Sequence, residues 1–261
     1  MNRNHLYLWV LLLAAFVTVA CISFFGPVSI FGYQLKDSGI AKVVRGADRI
    51  DTLRLDTVAA RRTAREPEKI EIDTAPKTIL FFGDSMLDGL YPRLAAYADE
   101  NGHELYAVIW YSSTSEVWGK SDRLRGYIER YHPDFIFVSL GANELFVKDI
   151  AEKRDVYVKK ILSDIGDIPY LWIGPPNWKP DTGINALIAA NAAKGSYFRS
   201  DGMEFNRKKD GAHPTAESSR QWMDSIVRWM PLHSNHPIKL NTPSAVQGRA
   251  KRVHVHQPGE K

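Results

Sequence analysis

The sequence predicts a three-layer α/β/α domain on a central parallel sheet, preceded by an N-terminal transmembrane helix. Three observations carry this expectation. Short apolar runs alternate with stretches of helical apolar spacing through residues 77–232. The run DFIFVSL from Asp134 is nearly all apolar, as a strand covered on both faces must be. Residues Leu6 to Ile30 carry no charged side chain, enough to cross a bilayer as a helix. Strands separated by helices imply parallel neighbours, and right-handed crossovers gather the loops that follow the strands along one edge, where ligands bind in such folds.

Taken in order, residues 1–35 read as a membrane anchor. A cleaved signal peptide is the rival, since Arg3 gives a basic start, but the apolar part outruns the usual length of one. Lys36, Lys42, Arg45 and Arg49 outnumber Arg3 and the amino terminus, which by charge count holds the following segment in the cytoplasm; long domains nevertheless translocate largely regardless of charge. The expectation is that the large domain following the anchor lies on the outer, extracytoplasmic side. Residues 36–76, with AARRTAREPEKIE at their centre, read as a charged, partly helical stalk that Pro67 ends.

Ile79 to Phe82 forms the first predicted strand. Met86 to Glu100 follows as a helix, with Leu87, Leu90, Leu94, Ala95 and Ala98 on one stripe and Asn101-Gly102 as its stop. ELYAVIWY from Glu104 is a second strand, SDRLRGYIERY from Ser121 a helix, and DFIFVSL a third strand. A charged helix spans about Phe146 to Ile165, PYLWIG is a fourth strand, and Asp181 or Thr182 caps a helix through Ala193. A short strand near Tyr197 precedes a last helix opened by Thr215, with Trp222, Ile226 and Trp229 at helical spacing. Residues 233–261 have no apolar period and are expected to be a disordered basic tail.

Composition removes several function classes. A chain of 261 residues with 44% hydrophobic content can bury one good core, and its net charge of +4 gathers in the stalk and tail, which gives a nucleic-acid role little support. Cys21 is the single cysteine, so no intramolecular disulfide forms. HVHQ and the pair His233/His236 lack a third ligand at suitable spacing, and no metal is expected.

The groups able to do chemistry cluster at element ends. Ser85 follows the first strand at the start of a helix, where free N–H groups stabilise negative charge. Gly83 permits a tight strand-to-helix turn. Taken alone, Asp84 or Ser85 reads as an N-cap. Asn143, in SLGANE after the third strand, is either a loop-ordering residue or a side-chain donor to an oxyanion. In KDGAHPT, Asp210 and His213 are spaced so that the carboxylate reaches Nδ1 and leaves Nε2 as a base for Ser85. The other seven histidines (His5, His103, His132, His233, His236, His254, His256) read as structural.

These residues resemble the SGNH/GDSL hydrolase superfamily. Gly83-Asp84-Ser85 corresponds to its first block, Gly141-Ala142-Asn143-Glu144 to its third and Asp210-Gly211-Ala212-His213 to its fifth, within a likeness running from about Lys77 to Leu232. The resemblance implies a flavodoxin-like sheet and makes Ser85 the nucleophile, His213 the base and acid, and Asp210 its orienting partner. It also implies an oxyanion hole from the Ser85 N–H, Asn143 and a second-block N–H. For that last donor the sequence offers WYSSTSEVWG where the family has glycine; Ser113 is the best match and Ser112 the alternative. Glu144 stands where Asp is more usual and should support the loop, and Met86 replaces the family's leucine.

Asp84, Tyr111, Trp118, Asn177 and Trp178 are the expected substrate-binding residues, the aromatic ones reading equally as packing. The function implied is a membrane-anchored serine esterase, needing no cofactor, that removes short acyl groups such as acetyl from a carbohydrate or cell-envelope substrate. An O-acyltransferase with the same triad, or an inactive glycan-binding or partner-binding module, is the alternative.

Overall fold

The computed structural model describes residues 71–260, together with the backbone of a short antiparallel pairing of Ser29–Ile30 with Tyr33–Gln34. All of the expected anchor except Ser29, Ile30, Tyr33 and Gln34, which pair as strand, and most of the stalk therefore lie outside the described residues. Among those described, no helix is long and apolar enough to cross a membrane.

Six strands form one wholly parallel sheet: β1 (Thr78–Gly83), β2 (Glu104–Trp110), β3 (Phe135–Ser139), β4 (Tyr170–Ile173), β5 (Tyr197–Phe198) and β6 (Arg252–His256). Their spatial order is β5-β4-β3-β1-β2-β6. Among the described residues six helices cover it: α1 (Leu87–Asn101), α2 (Ser115–Lys120), α3 (Arg123–Tyr131), α4 (Ile150–Ile165), α5 (Ile184–Asn191) and α6 (Ala216–His233).

The period of two along β1 explains the layering. Ile79 and Phe81 face a core shared with α1 and α6, which contribute Leu87, Leu90, Trp222 and Ile226. Leu80 and Phe82 point the other way, into a core completed by Trp118, Leu124, Val158, Ile161 and Ile184 from α2 to α5. Both faces are thus buried, as the apolar strands require.

The predicted end signals act locally. Gly102 adopts φ 73° and caps α1, its N–H reaching the carbonyls of Ala98 and Asp99. The Thr215 hydroxyl accepts the Ser218 N–H at the start of α6. Two boundaries differ from expectation. The helix expected from Phe146 starts at Ile150, because 141–149 is taken up by turns ending on Asp149 at φ 55°. An extra short helix, α2, forms because the Thr114 hydroxyl accepts the Val117 N–H.

The disordered tail expected over 233–261 is corrected. Its end forms β6, paired in parallel with β2 so that Tyr106 opposes Arg252 and Trp110 opposes His256. The segment leading to it lies along α1, where Gly248 donates to the Pro92 carbonyl and the Arg93 guanidinium donates to the Ala245 carbonyl. RVHVH alternates at period two, and the free edge of β2 supplies its partners. A short alternating run without a hairpin turn carries little signal by itself.

The chain runs from β1 to β2, then crosses back past β1 to β3. The loops after β1 and β3 diverge from that reversal, the position where open α/β sheets hold their ligands. The two strands come unusually close there: a Cβ on Gly83 would lie 1.8 Å from the Ser139 carbonyl oxygen.

Candidate active site

The loop after β1 carries Ser85 into the first turn of α1, where the Asp88 N–H donates to the Ser85 carbonyl. The loop before α6 carries the histidine. It is closed like a hairpin, with Thr215 N–H donating to the Asn206 carbonyl and Lys208 N–H to the His213 carbonyl, each at 2.8 Å. Gly211, at φ 70°, makes the tight turn that an L side chain would strain.

The structure brings Ser85, His213 and Asp210 together. Ser85 Oγ lies 2.8 Å from His213 Nε2, and His213 Nδ1 lies 2.9 Å from Asp210 Oδ2. Asp210 Oδ1 accepts the N–H groups of Ala212 and His213 at 2.8 and 2.9 Å. The His213 N–H first, then the Ala212 N–H and the imidazole, hold this carboxyl down at about 2. An anion fixed beside Nδ1 selects the tautomer that leaves Nε2 free to accept the Ser85 proton.

A cleft of about 240 Å³ opens over the serine, lined by Ser85, Asp88, Tyr111, Ser112, Lys208 and His213. Asp88 and Lys208 were absent from the sequence expectation. Their positions carried a signal all the same, since Asp88 lies one helical turn beyond Ser85 and Lys208 sits in the loop that delivers Asp210.

At the second block the structure contradicts Ser113 as a donor facing the cleft and leaves its alternative, Ser112, with an N–H uncommitted among the described residues. The Ser113 N–H is already committed to the Trp110 carbonyl at 3.1 Å, the side chain is buried, and its hydroxyl accepts the Trp118 Nε1–H. Ser112 adopts φ 59°, the left-handed conformation that favours glycine, and lines the cleft. Among the described residues neither the Ser112 nor the Ser85 N–H donates to a protein acceptor. One N–H of the Asn143 amide donates to the Ser113 carbonyl at 2.9 Å, which ties the loops after β2 and β3 together and leaves the amide's other N–H.

Three further expectations change. Trp118 is fully buried, with its ring 4.7 Å from Phe82 and 5.4 Å from Trp110, so it belongs to the core and not to a substrate surface. Asp84 is also fully buried, with Oδ1 accepting the Met86 N–H and Oδ2 the Ala142 N–H, and it joins the first block to the third. Burial, against those two donors, pushes its carboxyl up to about 7. Asn177 and Trp178 do not line the cleft: Asn177 Oδ1 accepts from Asn185, and Trp178 Nε1–H donates to the Ala142 carbonyl. Tyr111 does line it.

Glu144 is a buried support. Its carboxylate accepts the Ser115 N–H and hydroxyl and the Arg154 Nε–H, at 2.8, 2.7 and 2.8 Å. Burial raises its pKa against the pull of those donors. The longer arm of Glu reaches α2, and through Arg154 it reaches α4.

No family model matches the chain. Protein BcsX of Komagataeibacter xylinus is 26% identical to it over 243 residues, covering 74% of this chain and 88% of that protein. Among solved structures, the psychrotrophic esterase EstA of a Pseudoalteromonas species matches at 19% identity with a TM-score of 0.42, covering 59% of this chain and 98% of that one. A lipase/acylhydrolase of Enterococcus faecalis matches at 18% identity and a TM-score of 0.48, covering 59% and 95%. TesA matches at 18% identity and 0.44, covering 59% and 97%. The chain resembles the SGNH/GDSL hydrolases in its first, third and fifth blocks, and in folding those blocks to one edge of a parallel sheet.

Proposed function

We propose that this protein is a membrane-anchored serine esterase that removes short acyl groups, acetyl first among them, from a carbohydrate or other cell-envelope substrate. The observation that carries the reading is the continuous chain from Ser85 Oγ to His213 Nε2 and from Nδ1 to Asp210, at 2.8 and 2.9 Å. Such a chain turns a weakly nucleophilic hydroxyl into one that can attack a carbonyl.

In the first half-reaction His213 Nε2 takes the Ser85 proton as Oγ bonds to the ester carbonyl carbon. The carbonyl oxygen gains the negative charge and is received by the Ser85 and Ser112 N–H groups and by Asn143. The intermediate collapses, His213 returns the proton to the leaving alcohol, and the acyl group stays on Ser85. Water, deprotonated by the same imidazole, then attacks the acyl-enzyme; the acid leaves and Ser85 recovers its proton.

A short acyl group fits the size of the cleft, about 240 Å³, below the roughly 300 Å³ at which small-molecule pockets usually begin. Asp88, Lys208 and Tyr111 at its rim supply donors and acceptors for hydroxyl groups, which favours a carbohydrate alcohol. Membrane attachment rests on the uncharged span Leu6 to Ile30, and the outer location on the translocation of long domains largely regardless of the charges that follow the span.

Hydrolysis is preferred over transfer to a second alcohol because neither Trp118, buried in the core, nor Trp178, which does not line the cleft, stands where it would screen the acyl-enzyme from water. An inactive module is disfavoured because Ser112 at φ 59° offers the N–H that the second block lacks a glycine to supply. The test is turnover of a small activated acetate by the full chain, with Ser85→Ala alongside. Turnover that disappears in the variant supports the reading, and equal turnover in both refutes it. Release of the donor's leaving alcohol only when a glycan alcohol is added, with the acetyl group recovered on the glycan and no free acetate, would replace hydrolysis with transfer.

A further inference from the structure

The carboxy-terminal strand β6 ends beside the loop that carries Ser112. The Tyr111 N–H donates to the His256 carbonyl at 3.0 Å, and the Trp110 Nε1–H donates to the next carbonyl, Gln257, at 3.2 Å. These two bonds grip the residues immediately before Ser112, one by backbone and one by side chain. His256 is itself held on several sides. Its Nε2 lies 2.7 Å from the Tyr127 hydroxyl, and its Nδ1 lies 2.8 Å from Glu260 and 3.0 Å from Arg123.

We propose that β6 is part of the catalytic apparatus of this chain, with His256 as a positioning residue that sets the Ser112 N–H for the oxyanion. The proposal rests on the esterase reading. Left-handed backbone at a non-glycine residue is disfavoured and persists only where the surroundings over-determine it. Ser112 has no glycine's freedom, and its φ is 59°. The Trp110 carbonyl accepting the Ser113 N–H closes the turn from one side, and the carbonyls of His256, the last residue of β6, and Gln257 just after it fix its entry from the other. β6 thereby takes up at the second block the conformational work that a glycine would do unaided.

An oxyanion donor acts in the transition state, so loosening it lowers kcat and leaves substrate binding nearly intact. His213 and Asp210 make no contact with β6 among their described hydrogen bonds, so the protonation of the base should be untouched.

The experiment compares His256→Ala, His256→Gln and Trp110→Phe with the wild-type full chain. It reads kcat and KM on an activated acetate, active sites counted by burst, the pH profile of kcat/KM, inhibition by a trifluoromethyl ketone, and amide hydrogen exchange over residues 110–113. In His256→Ala, kcat per active site falls about tenfold or more, KM stays within about twofold, and the acid limb does not move. The ketone, which binds as an oxyanion, weakens by the same factor as kcat/KM falls. His256→Gln, which can still bond Tyr127, recovers part of the loss, and exchange at Tyr111 and Ser112 quickens in both His256→Ala and Trp110→Phe.

Unchanged kcat per active site, or a shifted acid limb, overturns the proposal. So does unchanged exchange over 110–113, which is read without substrate. A wild type without Ser85-dependent turnover removes the esterase reading instead, and the exchange data then still decide whether β6 holds the loop.

Discussion

Replacing Gly83 by alanine tests how the fold places Ser85. A Cβ there would lie 1.8 Å from the Ser139 carbonyl oxygen and 2.7 Å from its carbonyl carbon, both backbone atoms in the middle of the sheet. Ordinary contact begins at 3.4 Å, so β1 and β3 must part locally by 3.4 minus 1.8, or 1.6 Å. No side-chain rotation can relieve a clash with a strand. The movement also strains the bond from the Asp84 N–H to the same Ser139 oxygen, 2.9 Å long. Overpacking of this kind costs about 1–3 kcal/mol and a lost hydrogen bond about 1, so Gly83→Ala should lose roughly 2–4 kcal/mol. Activity should suffer more, because a displacement of about 1 Å at reacting groups costs on the order of a hundredfold, and Ser85 and Asn143 ride on the two strands being forced apart. Urea unfolding gives the stability change at constant slope, and kcat per folded molecule gives the other. A variant within about 0.5 kcal/mol and threefold in kcat of wild type would refute the reasoning.

Three further perturbations follow from the same geometry. The Asp84 carboxyl titrates near 7 in the folded protein, above its ordinary 3.8, so the folded state keeps a proton the unfolded chain has already released; stability is full at low pH and declines as pH rises to about 7. Between pH 5 and 8 the wild type should lose about 3 kcal/mol that Asp84→Asn does not lose, and parallel stability curves by urea unfolding would contradict this. Asn143→Ala should lower kcat about a hundredfold with little change in KM, whereas a change within about threefold returns Asn143 to loop ordering alone. Trp118→Ala should destabilise by about 3–5 kcal/mol with KM unchanged; a stable variant with raised KM would put Trp118 back at the substrate.

The parallel sheet was legible because its strands are apolar on both faces and its helices are striped, signals that need no partner to be seen. The three residues Ser85, Asp210 and His213 were legible because each lies at an element end and their order fits a sheet with one reactive edge. What escaped depended on contacts distant in sequence. β6 is a short alternating run whose stability comes from the edge of β2, some 150 residues earlier, so the tail looked disordered when read alone. Trp118 looked like a rim aromatic because its loop follows a strand; only the unforeseen helix α2 turns it inward onto Phe82. Ser113 and Ser112 are chemically identical, and the choice between them rests on a backbone angle and on which N–H the Trp110 carbonyl has taken. Asp84 reads as a polar residue beside Ser85, yet two backbone N–H groups make its burial tolerable.

The central claim is that Ser85, activated by His213, is an acyl-accepting nucleophile. Its most direct test is the intact mass of the full chain after exposure to an activated phosphonate ester, followed by peptide mapping. The account predicts one phosphonyl adduct per chain, located on Ser85, absent from Ser85→Ala and formed far more slowly in His213→Ala. Labelling elsewhere, or labelling of Ser85 at the same rate without His213, would contradict it.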